Sequence, residues 1–305
     1  MRRYTNSGFQ VELQVRYHPR SGEAGDIPAW LNYVRHVVDT FGPNRQVVAM
    51  TIINEINVQG SPNTSDGSYQ GAGPALVAGI EAAHAEAVHN RFTQLRFGFT
   101  YAYRFSPSGD ADLSAHLAAH GGRPFVRALG FVGLDFYPGT IYPPVMAPGD
   151  TYRADLAQAA GLVRDCLDPK AGISPSVPIW STENGVPTGV LSAAQQATAL
   201  RQLVQAAQAY SGTFNITDYR WFNLRDTTST GPATLLGATF SSDGLLDDSY
   251  APKPSFGVYR SLIANSGERR ATSPRRVRSE HHRAGRKRHR GHRRHRGVPR
   301  KHRRY

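Results

Sequence analysis

The sequence predicts an α/β fold built on a parallel sheet, and three observations carry that reading. Short β-type runs alternate with longer runs of helical period from about Phe9 to Asn265. The helical runs each gather their apolar residues on one face. The chain has 305 residues, of which 39% are hydrophobic, so a sizeable core can be buried.

Taken in order, Met1 to Gly8 has the character of a helix end feeding the first strand. The β-type runs are Val11 to Tyr17, Val47 to Ile53, Leu95 to Tyr101, Phe131 to Tyr137, Val177 to Ser181 and Ile216 to Phe222. Between the first two, Trp30, Val34, Val37, Val38 and Phe41 recur at helical spacing; later Leu156, Ala160, Val163 and Leu167 do the same. Ser192 with Gln195 three residues on is a capping-box start for a helix that turns Leu200, Leu203, Val204 and Ala207 inward. Pro254 opens a last helix through Phe256, Tyr259 and Ile263. These are six strand-helix units, against eight in a closed (β/α)8 barrel. The expectation is a TIM-type barrel short of two N-terminal units, which would lie upstream of Met1.

The formal charge of +13 is concentrated at one end. From Gly267 to Tyr305 there are 17 Lys or Arg and two acids, a net of +15, which leaves about −2 for everything before. This stretch has almost no apolar residues to offset its ordering entropy, so residues 266–305 are expected to be a disordered Arg/His-rich tail and residues 1–265 the barrel. Its six His lack fixed metal-ligand spacing. Cys166 is the one cysteine, which excludes an intrachain disulfide and a thiolate metal cluster. Its apolar neighbours predict a small buried hydrophobe. No run has the roughly 18 to 20 apolar residues of a membrane-spanning helix. Met1-Arg2-Arg3 is followed by polar residues instead of the apolar core of an export signal.

Chemistry concentrates at two strand ends. Val47 to Ile53 runs into Asn54-Glu55, and Val177 to Thr182 runs into Glu183-Asn184-Gly185. The carboxyl ends of barrel strands are where catalytic groups converge. A carboxylate after an apolar run is costly unless it is used or paired. Two of them suit glycoside hydrolysis, in which one protonates the leaving oxygen and the other attacks the anomeric carbon.

Ile53-Asn54-Glu55 followed by Thr182-Glu183-Asn184-Gly185 resembles clan A of the retaining glycoside hydrolases over roughly Val11 to Ile263, closest to cellulase-like family 5 with features shared by families 1 and 39. The resemblance implies Glu55 as acid/base, Glu183 as nucleophile and Asn54 as partner of the sugar 2-hydroxyl. It implies His18, in Val15-Arg16-Tyr17-His18-Pro19, as a substrate contact at the end of the clan's third strand. It implies Tyr137, in Leu134-Asp135-Phe136-Tyr137-Pro138, as the hydroxyl that hydrogen-bonds the nucleophile. It implies Trp221, in Tyr219-Arg220-Trp221-Phe222-Asn223, as the floor of the −1 sugar site, where an aromatic face packs on sugar C–H groups. Asp243-Gly244-Leu245-Leu246 and Lys253-Pro254-Ser255 resemble the closing segment of families 1 and 5. Two departures stand out. Asp135 holds a place usually taken by His in family 5, either as a polar substrate contact or paired with Arg16 or Arg225. Ile56-Asn57 follows the acid/base where Pro is usual.

The expected function is retaining hydrolysis of a β-linked glycoside or polysaccharide, with no metal and no organic cofactor, outside the cell or at its envelope. One rival is an inactive barrel remnant or a carbohydrate-binding protein, since two absent units leave strand edges open. The other is an anionic-polymer binder acting through the tail. The tail lacks the interleaved aromatics of a base-stacking surface, which favours a cell-envelope polymer over nucleic acid.

Overall fold

The structure, a computed structural model, describes residues 1–272 apart from 21, 104–106, 144–145, 190, 230–233 and 236–237. The basic run from 273 to 305 therefore lies outside the described residues. A short helix α1 (Arg2–Asn6) leads into β1 (Val11–Val15), as the sequence predicts. Then come α2 (Ile27–Phe41), β2 (Val47–Ile52), α3 (Ala72–His89), β3 (Arg96–Ala102), α4 (Pro107–His120), α5 (Gly122–Ala128) and β4 (Leu129–Asp135). Helix α6 (Tyr152–Gly161) continues through a π-helical turn, Leu162–Leu167, into α7 (Asp168–Lys170). β5 (Ile179–Glu183), α8 (Ala193–Phe214), β6 (Ile216–Tyr219), a short hairpin of β7 (Thr234–Leu235) and β8 (Ala238–Thr239), and α9 (Pro254–Thr272) complete the order. Helix α9 runs seven residues past the boundary expected at 265.

Strands β1 to β6 pair in sequence order and all in parallel, a curled six-stranded half-barrel open between β1 and β6. The main core lies between the sheet and its helices. Val34 and Val38 of α2, Leu76 and Ile80 of α3, and Leu200 and Leu203 of α8 are fully covered there. A second, smaller cluster lies on the concave side, where Phe131 stacks on Trp180 at 3.9 Å over Ala49.

Local chemistry explains the helix ends. Asp26 caps α2 by accepting from the Ala29 amide at 3.0 Å. At α8 both halves of the Ser192 and Gln195 capping box form. The closing segment braces the loop after β5: Lys253 Nζ donates to Asp226, Thr188 and the Ser242 carbonyl, and Ser255 donates to Gln196. Cys166 is exposed, contrary to the buried hydrophobe expected of it. The π turn rotates it outward and turns Val163 and Arg164 inward instead.

Arg164 is buried and ties the entry of β5 to the end of α8. Its guanidinium donates to Asp168 at 2.7 Å, to the Val177 carbonyl at 2.9 Å and to the Phe214 carbonyl at 3.1 Å. Burial pushes the Asp168 carboxyl up to about 7, and Arg164 only partly opposes this. Removing one partner of a buried pair leaves the other uncompensated. Arg164→Leu is expected to lower unfolding stability by about 3–5 kcal/mol, read from the urea midpoint at unchanged slope. A loss under about 1 kcal/mol would show that this anchor does not hold β5.

Candidate active site

The turn after β2 is built to present Glu55. Ile53 has φ 71° and Glu55 φ 43°, left-handed values that a β-branched residue in particular avoids. Such backbone persists only where its surroundings over-determine it. Here the Asn54 amide donates to Asp66 Oδ2 at 2.9 Å, and the Glu55 amide to Thr100 Oγ1 at 2.7 Å. Asp66 also accepts from the Tyr17 amide at 3.0 Å and from Arg16 Nε at 2.7 Å. One buried carboxylate thus joins the end of β1 to the turn after β2.

Glu183 ends β5, and strand register sets Asp135, the last residue of β4, beside it. One carboxyl oxygen from each of Glu55, Asp135 and Glu183 lies within 4.8 Å of the other two. Tyr137 donates its hydroxyl to Glu183 Oε2 at 2.8 Å, as the resemblance implies. Ser65 donates to Glu55 Oε2 at 2.6 Å. Gln14 donates to Asn54 Oδ1 at 2.6 Å, and its amide lowers the Glu183 carboxyl.

These surroundings separate the two glutamates. Burial and the charge of Glu183 push the Glu55 carboxyl up to about 8, with Ser65 and Arg16 opposing. Burial raises Glu183 as well, but Tyr137, Arg16 and Gln14 pull it down. The pair therefore holds its shared proton on Glu55 and its charge on Glu183. Asp135 is raised well above the carboxylate range by burial and by both glutamates.

The other expected residues fall in different places. Asn54 is buried, with Oδ1 accepting from Gln14 and from Thr100 at 2.9 Å and Nδ2 donating to the Thr64 carbonyl at 2.8 Å. One N–H of that amide is left for a ligand. Trp221 is buried, its indole N–H bound to the Asp243 carbonyl at 2.8 Å; the adjacent Phe222 amide bonds the Asn184 carbonyl, which sets Trp221 beside the strand end that carries Glu183. His18 bonds the Tyr69 hydroxyl at 2.8 Å and lines a groove of about 450 Å³ whose walls include neither glutamate. Neither pairing expected for Asp135 forms. Arg16 is taken by Asp66, and Arg225 bonds the Asp248 carbonyl and stacks on Tyr250. Ser65, Asp66, Thr100 and Gln14 were not singled out in the sequence. Ser65 and Asp66 sit in a run of turn residues, and nothing in such a run marks a buried carboxylate.

Neither a protein-family model nor a curated protein matches the chain. Solved structures do. A β-glucosidase, 1317, in its apo form superposes with a TM-score of 0.57 at 19% identity, over 85% of this chain and 75% of its own. Fungal β-1,4-galactanase matches at 0.58 and 12% identity, over 85% and 80%. A GH5_18 protein from Streptomyces cattleya in complex with Manβ1-4GlcNAc matches at 0.59 and 16% identity, over 89% of this chain and 65% of its own, so the chain spans just under two thirds of that protein. At these identities the likeness is one of fold: the six parallel strands and their helices form part of a TIM-type barrel.

Proposed function

We propose that this chain carries the catalytic centre of a retaining glycosidase acting on β-linked sugars. The observation that carries the reading is the pair of glutamates at the ends of β2 and β5, with carboxyl oxygens within 4.8 Å and their proton held on Glu55. Retaining sites keep their carboxyl groups about 5–5.5 Å apart, whereas inverting sites need about 6.5–9.5 Å to admit a water between them. The structural neighbours support the substrate class by their names, β-glucosidase and β-1,4-galactanase, and by the Manβ1-4GlcNAc bound to the third.

In the first step the Glu183 carboxylate attacks the anomeric carbon while Glu55 gives its proton to the departing glycosidic oxygen. The bond to the leaving sugar breaks as the bond to Glu183 forms. Glu183 is then esterified and uncharged, so the main electrostatic support for the Glu55 proton is gone. Glu55, now a carboxylate, takes a proton from water as the water oxygen attacks the anomeric carbon, and Glu183 leaves. Tyr137 holds one oxygen of Glu183 so that the other faces the sugar. Asn54 offers its remaining N–H to a sugar hydroxyl.

Glu183→Ala is expected to abolish turnover of 4-nitrophenyl β-glycosides, with azide partly restoring it and giving the inverted glycosyl azide. Glu55→Ala should slow aryl glycosides by about 10²–10⁴-fold, with azide giving the retained product. Unchanged rates in either variant would end the assignment; saturable sugar binding without turnover in the native chain would favour a carbohydrate-binding protein.

The dependence of kcat/KM on pH tests the electrostatics independently. Glu55 must be protonated, so activity should fall as pH rises through about 8. Glu183 must be ionised, which sets the acid limb. The Tyr137 hydroxyl lowers Glu183, so Tyr137→Phe should move the acid limb to higher pH and leave the alkaline limb in place. An unmoved acid limb would show that this hydrogen bond does not tune the nucleophile.

A further inference from the structure

The cluster at the strand ends holds one carboxyl more than the two-step hydrolysis uses. Asp135 is 1% exposed, and its Oδ1 accepts from Thr182 Oγ1 at 2.5 Å. Its Oδ2 has no hydrogen-bond partner among the described residues, although Glu55 and Glu183 carboxyl oxygens lie within 4.8 Å of this side chain. Arg16, whose charge acts on both glutamates, is bound through Nε to Asp66 at 2.7 Å, and its buried Nη2 has no hydrogen-bond partner among the described residues. Glu55, Asp66, Asp135 and Glu183 thus share one guanidinium.

Resting on the glycosidase reading, we propose that Asp135 is a specificity residue that takes a cationic group of the substrate, the free ammonium of an amino sugar in the −1 position. An ammonium brings Asp135 itself a positive charge in direct contact and an N–H donor for Oδ2. A neutral sugar supplies only hydroxyls, and three carboxyls this close must then hold a second proton between them. With the ammonium seated at Asp135, its charge is cancelled where it sits. Glu55 keeps the proton it must donate, and Glu183 keeps the charge it must attack with. Burial holds the Asp135 proton in the empty site. The arriving ammonium displaces that proton to solvent, so binding releases a proton.

The test compares kcat/KM for 4-nitrophenyl β-D-glucosaminide and 4-nitrophenyl β-D-glucoside on the full chain and on Asp135→Asn, with glucosamine and glucose binding followed by calorimetry in buffers of different ionisation enthalpy. The native chain should favour the amine by about 10- to 100-fold, the range of a charge-assisted hydrogen bond. Its binding should release a proton. Asp135→Asn should lose both the preference and the proton release, and Asp135→Glu should recover part of the preference, which a folding defect would not allow. Amine-selective binding that depends on Asp135, with neither substrate turned over, would support this inference while removing the hydrolase reading. Equal handling of the two sugars, or a preference surviving in Asp135→Asn, would overturn it. So would tight binding of Mn²⁺ or Ca²⁺ that competes with glucosamine, since the cluster would then belong to a metal.

Discussion

Three carboxyl groups held within 4.8 Å of one another at the strand ends set the terms that the surrounding structure has to meet. Like charges this close cannot all ionise, and burial sharpens the conflict. Each carboxyl is therefore given different company. Glu183 takes the Tyr137 hydroxyl and is lowered further by Gln14, Glu55 takes the Ser65 hydroxyl, and Asp135 takes the hydroxyl of Thr182. The donors decide which group carries the charge. The donors to Glu183 keep it ionised, and that charge in turn raises Glu55, so the unequal donors place the proton on Glu55.

Asp66 is the element on which that arrangement rests mechanically. It is fully buried, and its two oxygens take three donors, from Arg16, Tyr17 and Asn54. This holds Arg16 in a fixed place, so its charge acts on the glutamates through space. It also fixes the left-handed turn at Ile53 and Glu55, whose strain the Asn54 and Glu55 amide bonds offset. The position of Glu55 is thus set from β1, β3 and the loop after β2 together.

The sheet order was legible because each strand is a compact apolar run, and all six expected runs overlap an observed strand. That the two glutamates meet was legible because each follows such a run at a strand end. The contact of Tyr137 with Glu183 came from the family resemblance alone. What failed depends on partners far away in sequence. Asp135 was expected beside Arg16 or Arg225, yet Arg16 is claimed by Asp66 fifty residues on. Cys166 lies among apolar residues at helical spacing, but the π turn adds a residue to the repeat and moves it from the inner face to solvent. His18 sits near a strand end as expected and turns to Tyr69, which the motif around it does not contain.

The open side of the half-barrel bears on the site in the same electrostatic terms. Among the described residues, parallel strands β1 and β6 have no second sheet neighbour, and the concave face between them is a cavity of about 1070 Å³ lined by Glu12, Trp180, Asp218 and Arg220 among others. A barrel interior is ordinarily filled by layers of branched apolar side chains. Here Arg220, just past β6, reaches Glu12 on β1 and lies over the Trp180 ring, which in turn stacks on Phe131. That chain of contacts ties the two free edges together by charge and aromatic faces where hydrogen-bonded strands would otherwise do so. It also reaches the chemistry, because the negative charge of Glu12 raises Glu183. Arg220 pairs with Glu12 across the open edge and so offsets the charge that raises Glu183. The same ion pair thus links the two edges of the half-barrel to the charge state of Glu183, so loosening the open edge would leave Glu12 uncompensated and push the Glu183 carboxyl further up.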